Sequence, residues 1–174
     1  MSNRCEEEKI KFLRAYDCYD MKARDSLAEV LCIIPVSDFA HYEETPENAV
    51  IFAMTGTDGC HYCMTENGDN INVFIILPNM GDEHSVYLIG HSISEMLSYA
   101  LPIQGLFECV FELDRNTFLQ EVQNLKDERA TELNSERFLD DLSAIKREFT
   151  VTNYSAITVY EKLRAMNYLS DSET

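Results

Sequence analysis

Apolar residues recur along this chain at two different periods, and the period changes twice. Near the N-terminus Ile10, Leu13, Leu27 and Leu31 keep the spacing of a helical face, which predicts one or two helices within residues 6–32. In the middle, short runs rich in β-branched residues are bounded by turn residues and predict strands. The four predicted strands are residues 49–54, 60–65, 71–77 and 86–89.

The last part of the chain returns to helical spacing. Apolar stripes that follow good N-cap residues predict four helices. These are a helix from Ser92 to about residue 100, and helices at residues 117–128, 135–149 and 155–169. Residues 106–111 fit either a strand or a short helix, and both alternatives stay open.

The strands follow one another through tight turns, which indicates a mainly antiparallel sheet. One of these turns contains the pair Asn67-Gly68, which accepts positive φ and predicts a hairpin. The 174 residues are enough for one domain with its own core. We therefore expect a single α+β domain over residues 1–174, with a central curved sheet of four to six strands between N-terminal and C-terminal helices.

Charge is distributed very unevenly along the chain. The formal net charge is −17, and residues 25–114 contain fifteen acidic side chains but no Lys or Arg. Such a surface repels nucleic acid and anionic membranes, so a basic protein is the expected partner. All four histidines lie in the same span, where neighbouring carboxylates favour the imidazolium form: His41, His61, His84 and His91.

The ends of the chain and its cysteines suggest a reducing compartment. The first residues contain no apolar stretch behind a basic start, and no apolar run is long enough to cross a bilayer. The six cysteines are scattered through helical and strand patterns, as is usual for thiols in a reducing compartment. We expect a cytoplasmic protein without membrane insertion.

The segment from Cys60 to Cys63 has the spacing of a zinc or thiol-redox motif. No second pair of cysteines supplies the other two ligands that zinc would need. If the segment is a strand, Cys60 and Cys63 point to opposite faces and cannot bind one ion. We therefore predict that both thiols are structural, and we expect no metal and no cofactor.

The string Gly90-His91-Ser92-Ile93-Ser94 is close to the nucleophile elbow of serine hydrolases and lies between a predicted strand and a predicted helix. Its fifth position is Ser94 rather than the glycine of that motif. Ser92 with Glu95 three residues later also makes a capping box, which predicts an N-cap. A small hydrolase that uses His91 and Ser92 remains the alternative.

Three strings resemble a group of uncharacterised bacterial proteins. They are Thr55-Gly56-Thr57-Asp58-Gly59-Cys60-His61-Tyr62, then Leu77-Pro78-Asn79-Met80, and then residues 88–97. That group reads T-G-G-D-G-x-H-F in its core and is similar to the SUKH superfamily, which includes immunity and Syd-like proteins. The resemblance covers about residues 51–100. It implies an α+β fold with a curved sheet, no catalytic residues, and binding to another protein.

Charge and resemblance together favour a non-enzymatic binding domain, of which an immunity protein that masks a basic toxin is the most concrete form. Loops on a rigid sheet are where binding residues usually lie. The acids expected to contact the partner are Glu43, Glu44, Asp58, Glu66, Asp69, Asp82 and Glu83. A further alternative is a regulatory adaptor that binds through its C-terminal helices.

Overall fold

A computed structural model describes residues 4–17, 28, 30–37, 42–57, 59–78 and 85–168. In these residues five strands lie between helices, and the expected α+β class is confirmed. The strands are β1 (Ile34–Pro35), β2 (Val50–Met54), β3 (His61–Asn67), β4 (Asn70–Ile76) and β5 (Val86–Gly90). The helices are α1 (Arg4–Asp17), α2 (Ile93–Ile103), α3 (Phe107–Glu112), α4 (Arg115–Glu128), α5 (Ala130–Leu133), α6 (Glu136–Glu148) and α7 (Ala156–Tyr168).

The sheet is antiparallel throughout, with the strands in sequence order from β1 to β5. The hairpin between β3 and β4 is predicted correctly, but its turn is displaced by one residue. Asn67 pairs with Asn70 and belongs to the ladder, so the two loop residues are Gly68 and Asp69. Of these, Gly68 takes positive φ (+58°), which an L side chain rarely adopts.

The edge strand β1 is absent from the sequence-based prediction. Its two residues pair with Met54 and Ala53 of β2. Pro35 suggests the end of a helical block, but a proline is also tolerated on an edge strand, where its missing N–H is not needed. A two-residue strand has no periodicity, so only pairing with β2 reveals it.

The main core lies between one face of the sheet and the helices. Alternate strand residues such as Phe52, Tyr62 and Ile75 face Phe12 of α1 and the apolar faces of α2 to α7. The Phe12 and Phe52 rings meet edge to face with centroids 5.3 Å apart. Burying an apolar side chain of this size contributes roughly 1.5–3 kcal/mol, so this layer is the principal stabilising feature.

Three helices start at side-chain caps, as predicted for Ser92, Ser135 and Ser155. Their hydroxyl oxygens accept hydrogen bonds from the N–H groups of Glu95, Phe138 and Thr158 respectively. Helix α4 starts earlier than its apolar stripe, because Asp114 accepts from the N–H groups of Asn116 and Thr117. Residues 106–111 resolve as helix α3, and the short helix α5 was not predicted.

Candidate functional site

The seven predicted contact acids fall into three groups. Glu43 and Glu44 lie on the loop before β2, which we call the acidic loop and define as residues 42–48. Glu66 and Asp69 lie at the hairpin turn, at the other end of β3. The remaining predicted acids lie outside the described residues, and these are Asp58, Asp82 and Glu83.

The acidic loop is tied to the sheet by a buried histidine. His61 is fully buried, and its Nδ1 donates to the carbonyl oxygen of Gly59 over 2.7 Å. In the neutral ring this leaves Nε2 as an acceptor for the Thr45 hydroxyl, which lies 3.0 Å away. The Tyr42 ring stacks on the His61 ring with centroids 5.6 Å apart. The loop is therefore held at both its first residue and its middle.

The loop also closes on itself. The Thr45 N–H donates to the Tyr42 carbonyl over 3.0 Å, and the Tyr42 N–H donates to the Thr45 hydroxyl oxygen over 3.3 Å. At its far end the Ala49 N–H donates to the Pro46 carbonyl. These bonds satisfy backbone groups that a loop otherwise leaves to solvent, so the loop presents its side chains from a defined backbone.

Three carboxylates and one aromatic ring project from this backbone. Glu43 and Glu47 are exposed, Glu44 is half-buried, and Tyr42 is 40% exposed. Within the described residues, no hydrogen bond or ion pair joins Glu43, Glu44 or Glu47 to a basic side chain. Glu47 and Tyr42 were missing from the predicted set, although Tyr42 is adjacent to Glu43 and Glu47 lies three positions after Glu44.

The hairpin acids have a different environment, because helix α1 supplies a cation. The Arg4 N–H, at the start of α1, donates to Glu66 Oε1 over 2.8 Å. The Arg4 guanidinium lies 3.3 Å from Asp69 Oδ1 and also donates to the Asp69 carbonyl oxygen. Both acids are thus engaged within the chain. Five residue-to-residue steps along the strand lead from His61 to Glu66, so the two acidic groups lie roughly 17 Å apart along β3.

The two cysteines of the Cys60–Cys63 segment lie on opposite faces of the sheet, as predicted. Cys60 belongs to the main core with Tyr62 and Met64, whereas Cys63 packs with Ile51 and Ile76 on the other face. Burial raises the pKa of the Cys63 thiol to about 12, which disfavours the thiolate needed for metal binding or nucleophilic attack. No group of three metal-ligating side chains occurs within the described part of the chain.

Ser92 is confirmed as the N-cap of α2. Its Oγ accepts from the Glu95 N–H over 3.0 Å, while Glu95 Oε2 accepts from the His91 N–H over 2.7 Å. The glutamate therefore reaches the residue before the cap, not the cap itself as in a standard capping box. Its other oxygen accepts from the Tyr99 hydroxyl over 2.6 Å. Both carboxylate oxygens are occupied in stabilising the helix start.

The hydrolase alternative requires a base in contact with the serine. The His91 ring donates through Nδ1 to Asn72 Oδ1 over 2.9 Å. Among the residues that the structure describes, no hydrogen bond joins that ring to Ser92 Oγ. A groove of about 470 Å³ does lie beside them, and Arg4, Lys11, Glu7 and Asp69 contribute both signs of charge to its lining. The arrangement lacks the nucleophile–base contact that defines acyl-transfer sites.

The helical side of the molecule contains an acidic groove. It lies between α3 and α4, has a volume of about 340 Å³ and is lined by Cys109, Glu121, Asn124, Asp127 and Glu128 among others. Burial, together with the nearby Glu112 carboxylate, raises the pKa of Glu108 on α3. Glu121, Asp127 and Glu128 lie on α4, whose sequence also contains Arg115 and Lys126, so the total charge of this segment does not reveal them.

Comparisons of the sequence with protein-family models, with curated proteins and with solved structures find no match. In the described residues, none of the helices has the length and apolar character needed to span a membrane.

Proposed function

We propose that this chain is a non-enzymatic protein-binding domain that docks a basic partner through its acidic loop, residues 42–48. The observation that carries the proposal is the anchoring of this loop on buried His61. Three carboxylates, which have no basic partner among the described residues, and a partly exposed tyrosine thereby project from one fixed backbone. The contact set is narrower than the predicted one: it keeps Glu43 and Glu44 and adds Glu47 and Tyr42.

Preorganisation supports binding because a loop that is already ordered loses little conformational entropy when a partner docks. The Thr45–His61 bond and the Tyr42–His61 stack restrain the loop before any partner arrives. Tyr42 also fits a docking role, since tyrosines supply large, rigid contact area and are enriched among residues that dominate interface energies. A partner would bury the exposed part of this ring against its own surface.

Uncompensated charge supports a basic partner in particular. Residues 25–114 contain no lysine or arginine, so an ammonium or guanidinium group that neutralised the loop would have to come from outside that span. Arg4 of α1 is engaged at the hairpin turn, at the other end of β3. The negative potential around Glu43, Glu44 and Glu47 would accelerate association with a basic surface and disfavour acidic ones.

An immunity-type protein that masks a basic toxin domain is the particular form of this proposal. It rests on the resemblance of residues 51–100 to SUKH-type proteins together with the charge of the loop. In such a complex the loop would cover basic residues of the toxin that otherwise contact an anionic substrate. The charge of the loop itself requires only that the partner has a basic surface.

The proposal is tested with a short fluorescent peptide rich in Lys and Arg, and with its Gln-substituted counterpart. A variant with Glu43→Lys, Glu44→Lys and Glu47→Lys should bind the basic peptide at least about tenfold more weakly, equivalent to ~0.5 kcal/mol for each exposed ion pair. The neutral peptide should bind neither protein. Fluorescence anisotropy at several salt concentrations measures both effects.

The matched control reverses three acids on the helical side, Glu121→Lys, Asp127→Lys and Glu128→Lys. Both triple variants change the net charge equally, because each replaces three acids by three lysines. The control should lose less than about threefold in affinity, since charges beyond a Debye length are largely screened. Equal losses in the two variants would show that net charge attracts the peptide, and the loop would not be the docking site.

A further inference from the structure

The two edges of the sheet are protected in different ways. An unprotected edge strand offers unpaired N–H and C=O groups to any extended chain. Strand β1 is only two residues long and contains Pro35, which has no N–H to offer. Strand β5 is longer, and its sequence, Val-Tyr-Leu-Ile-Gly, contains neither a charge nor a proline. By its sequence alone, β5 is the edge at which another strand would add.

The centre of the β5 edge is occupied by one side chain of helix α7. The Leu88 N–H donates to Asn167 Oδ1 over 2.9 Å, and Asn167 Nδ2 donates to the Leu88 carbonyl oxygen over 3.0 Å. The same Nδ2 also donates to the Leu163 carbonyl over 2.8 Å, which orients the carboxamide from within its own helix. Asn167 therefore offers Leu88 one acceptor and one donor.

One acceptor and one donor are also what a neighbouring strand residue would offer. In an antiparallel ladder, the two residues of a hydrogen-bonded pair exchange both their N–H···O bonds. The carboxamide of Asn167 takes the place of that missing residue opposite Leu88. We infer that Asn167 closes the β5 edge against antiparallel pairing with a second copy of this chain.

A second copy is the occupant that the geometry selects. Around a two-fold axis at Leu88, each copy would offer the other the N–H and C=O groups that now bind Asn167, so one residue pairs with itself. Strand β5 contains no charged side chain that would repel its symmetry mate. Pairing would join two five-stranded sheets into one continuous sheet.

The test compares Asn167→Ala with the unaltered protein by sedimentation velocity over a range of concentrations. We expect that the unaltered protein does not associate through β5 at any of these concentrations. The sedimenting mass of the variant should approach twice the monomer mass as concentration rises. Hydrogen exchange at the Leu88 amide shows whether the two copies associate through β5. This amide should exchange faster in the dilute variant than in the unaltered protein, and should regain protection when the variant dimerises.

Asn153→Ala is the matched control, because Asn153 is an exposed asparagine outside the sheet. It should leave both the mass and the Leu88 exchange rate unchanged. An Asn167→Ala variant that is folded by circular dichroism but stays monomeric at its highest soluble concentration would overturn the inference. So would a dimer in which the Leu88 amide remains unprotected, because the copies would then meet elsewhere.

Discussion

The acidic loop and the hairpin turn lie at opposite ends of β3, and both display carboxylates from the same stretch of sequence that lacks basic residues. At the hairpin turn, Arg4 contacts Glu66 and Asp69, although sixty-two or more positions separate them in the sequence. In the acidic loop, Glu43, Glu44 and Glu47 make no such contact within the described residues. Acids that look equivalent in the sequence therefore differ in the structure: within the described residues, those at the hairpin turn contact Arg4 and those in the acidic loop contact no basic side chain.

This difference shows why a count of acids does not locate a binding surface. A carboxylate attracts a partner only to the extent that its own fold leaves it uncompensated. Glu95 is a third case within the same span, because both its oxygens serve the start of α2. Variants at His61, Glu95 and Arg4 distinguish the environments of the acidic loop, the start of α2 and the hairpin turn.

The largest effect is expected at the anchor itself. His61→Ala should lower the free energy of unfolding by about 3 kcal/mol, because it removes a buried ring and leaves the partners of two hydrogen bonds unsatisfied. Urea titration followed by circular dichroism measures the loss. The same variant should weaken binding of the basic peptide, although every loop carboxylate is still present.

The control for this anchor is His91→Ala. His91 is exposed, and its ring makes one hydrogen bond, to Asn72, so the expected change is within about 0.5 kcal/mol. Similar losses at the two histidines would mean that His61 does not hold the loop in a special way. The acidic loop would then not be fixed by His61.

A smaller effect is expected at Glu95, and it depends on pH. Burial acts to raise the pKa of Glu95, but hydrogen bonds from the Tyr99 hydroxyl and the His91 N–H outweigh it, so the pKa lies below its ordinary value. A depressed pKa stabilises the fold above the unfolded-state value of about 4.3 and loses that contribution as pH falls through the folded-state value. Glu95→Gln should cost about 1 kcal/mol at neutral pH.

The cost of Glu95→Gln should shrink as the pH is lowered, because the original carboxyl group then becomes protonated as well. Thermal or urea unfolding of both proteins from pH 7 to pH 3 would show the two stability curves converging. Parallel curves across this range would contradict the assigned role, since they would mean that ionised Glu95 contributes nothing to the helix start.

The smallest effect is expected at Arg4. Its side chain pairs with an almost fully exposed Asp69, so Arg4→Ala should cost only ~0.5 kcal/mol, and added salt should remove the difference. Arg115→Ala, which removes a comparable exposed pair with Glu161, is the control. Affinity for the basic peptide should rise by less than about twofold. A tenfold rise would show that the hairpin acids, once released, form the stronger docking surface.

Much of the fold follows from local pattern. Four of the five strands, the hairpin between β3 and β4 and the caps at Ser92 and Ser135 were all predicted, because each depends on neighbouring residues. Strand β1 was not, because two residues have no period and pair only with a strand fifteen or more positions away. The start of α4 was placed too late, since Asp114 lies outside the apolar stripe.

The candidate site was predicted only in part. Strand alternation places residue 61 on the same face as Cys63, so a buried His61 could have been inferred, but only the effect of neighbouring carboxylates, which favour its imidazolium form, was considered. The contacts of Arg4 with the hairpin turn and of Asn167 with Leu88 had no signal in the sequence. Each joins residues more than sixty positions apart.

The sequence by itself determined the α+β class, the antiparallel hairpins, the opposite faces of Cys60 and Cys63, and the excess of acid in residues 25–114. These properties depend on period, turn chemistry and composition, which are local. Only the tertiary structure decided which acids are compensated, which histidine is buried under the acidic loop, and which side chain closes the edge of β5. These outcomes depend on how α1, α7 and the acidic loop pack against the sheet, because the packing brings single polar groups that are distant in the sequence within hydrogen-bond distance.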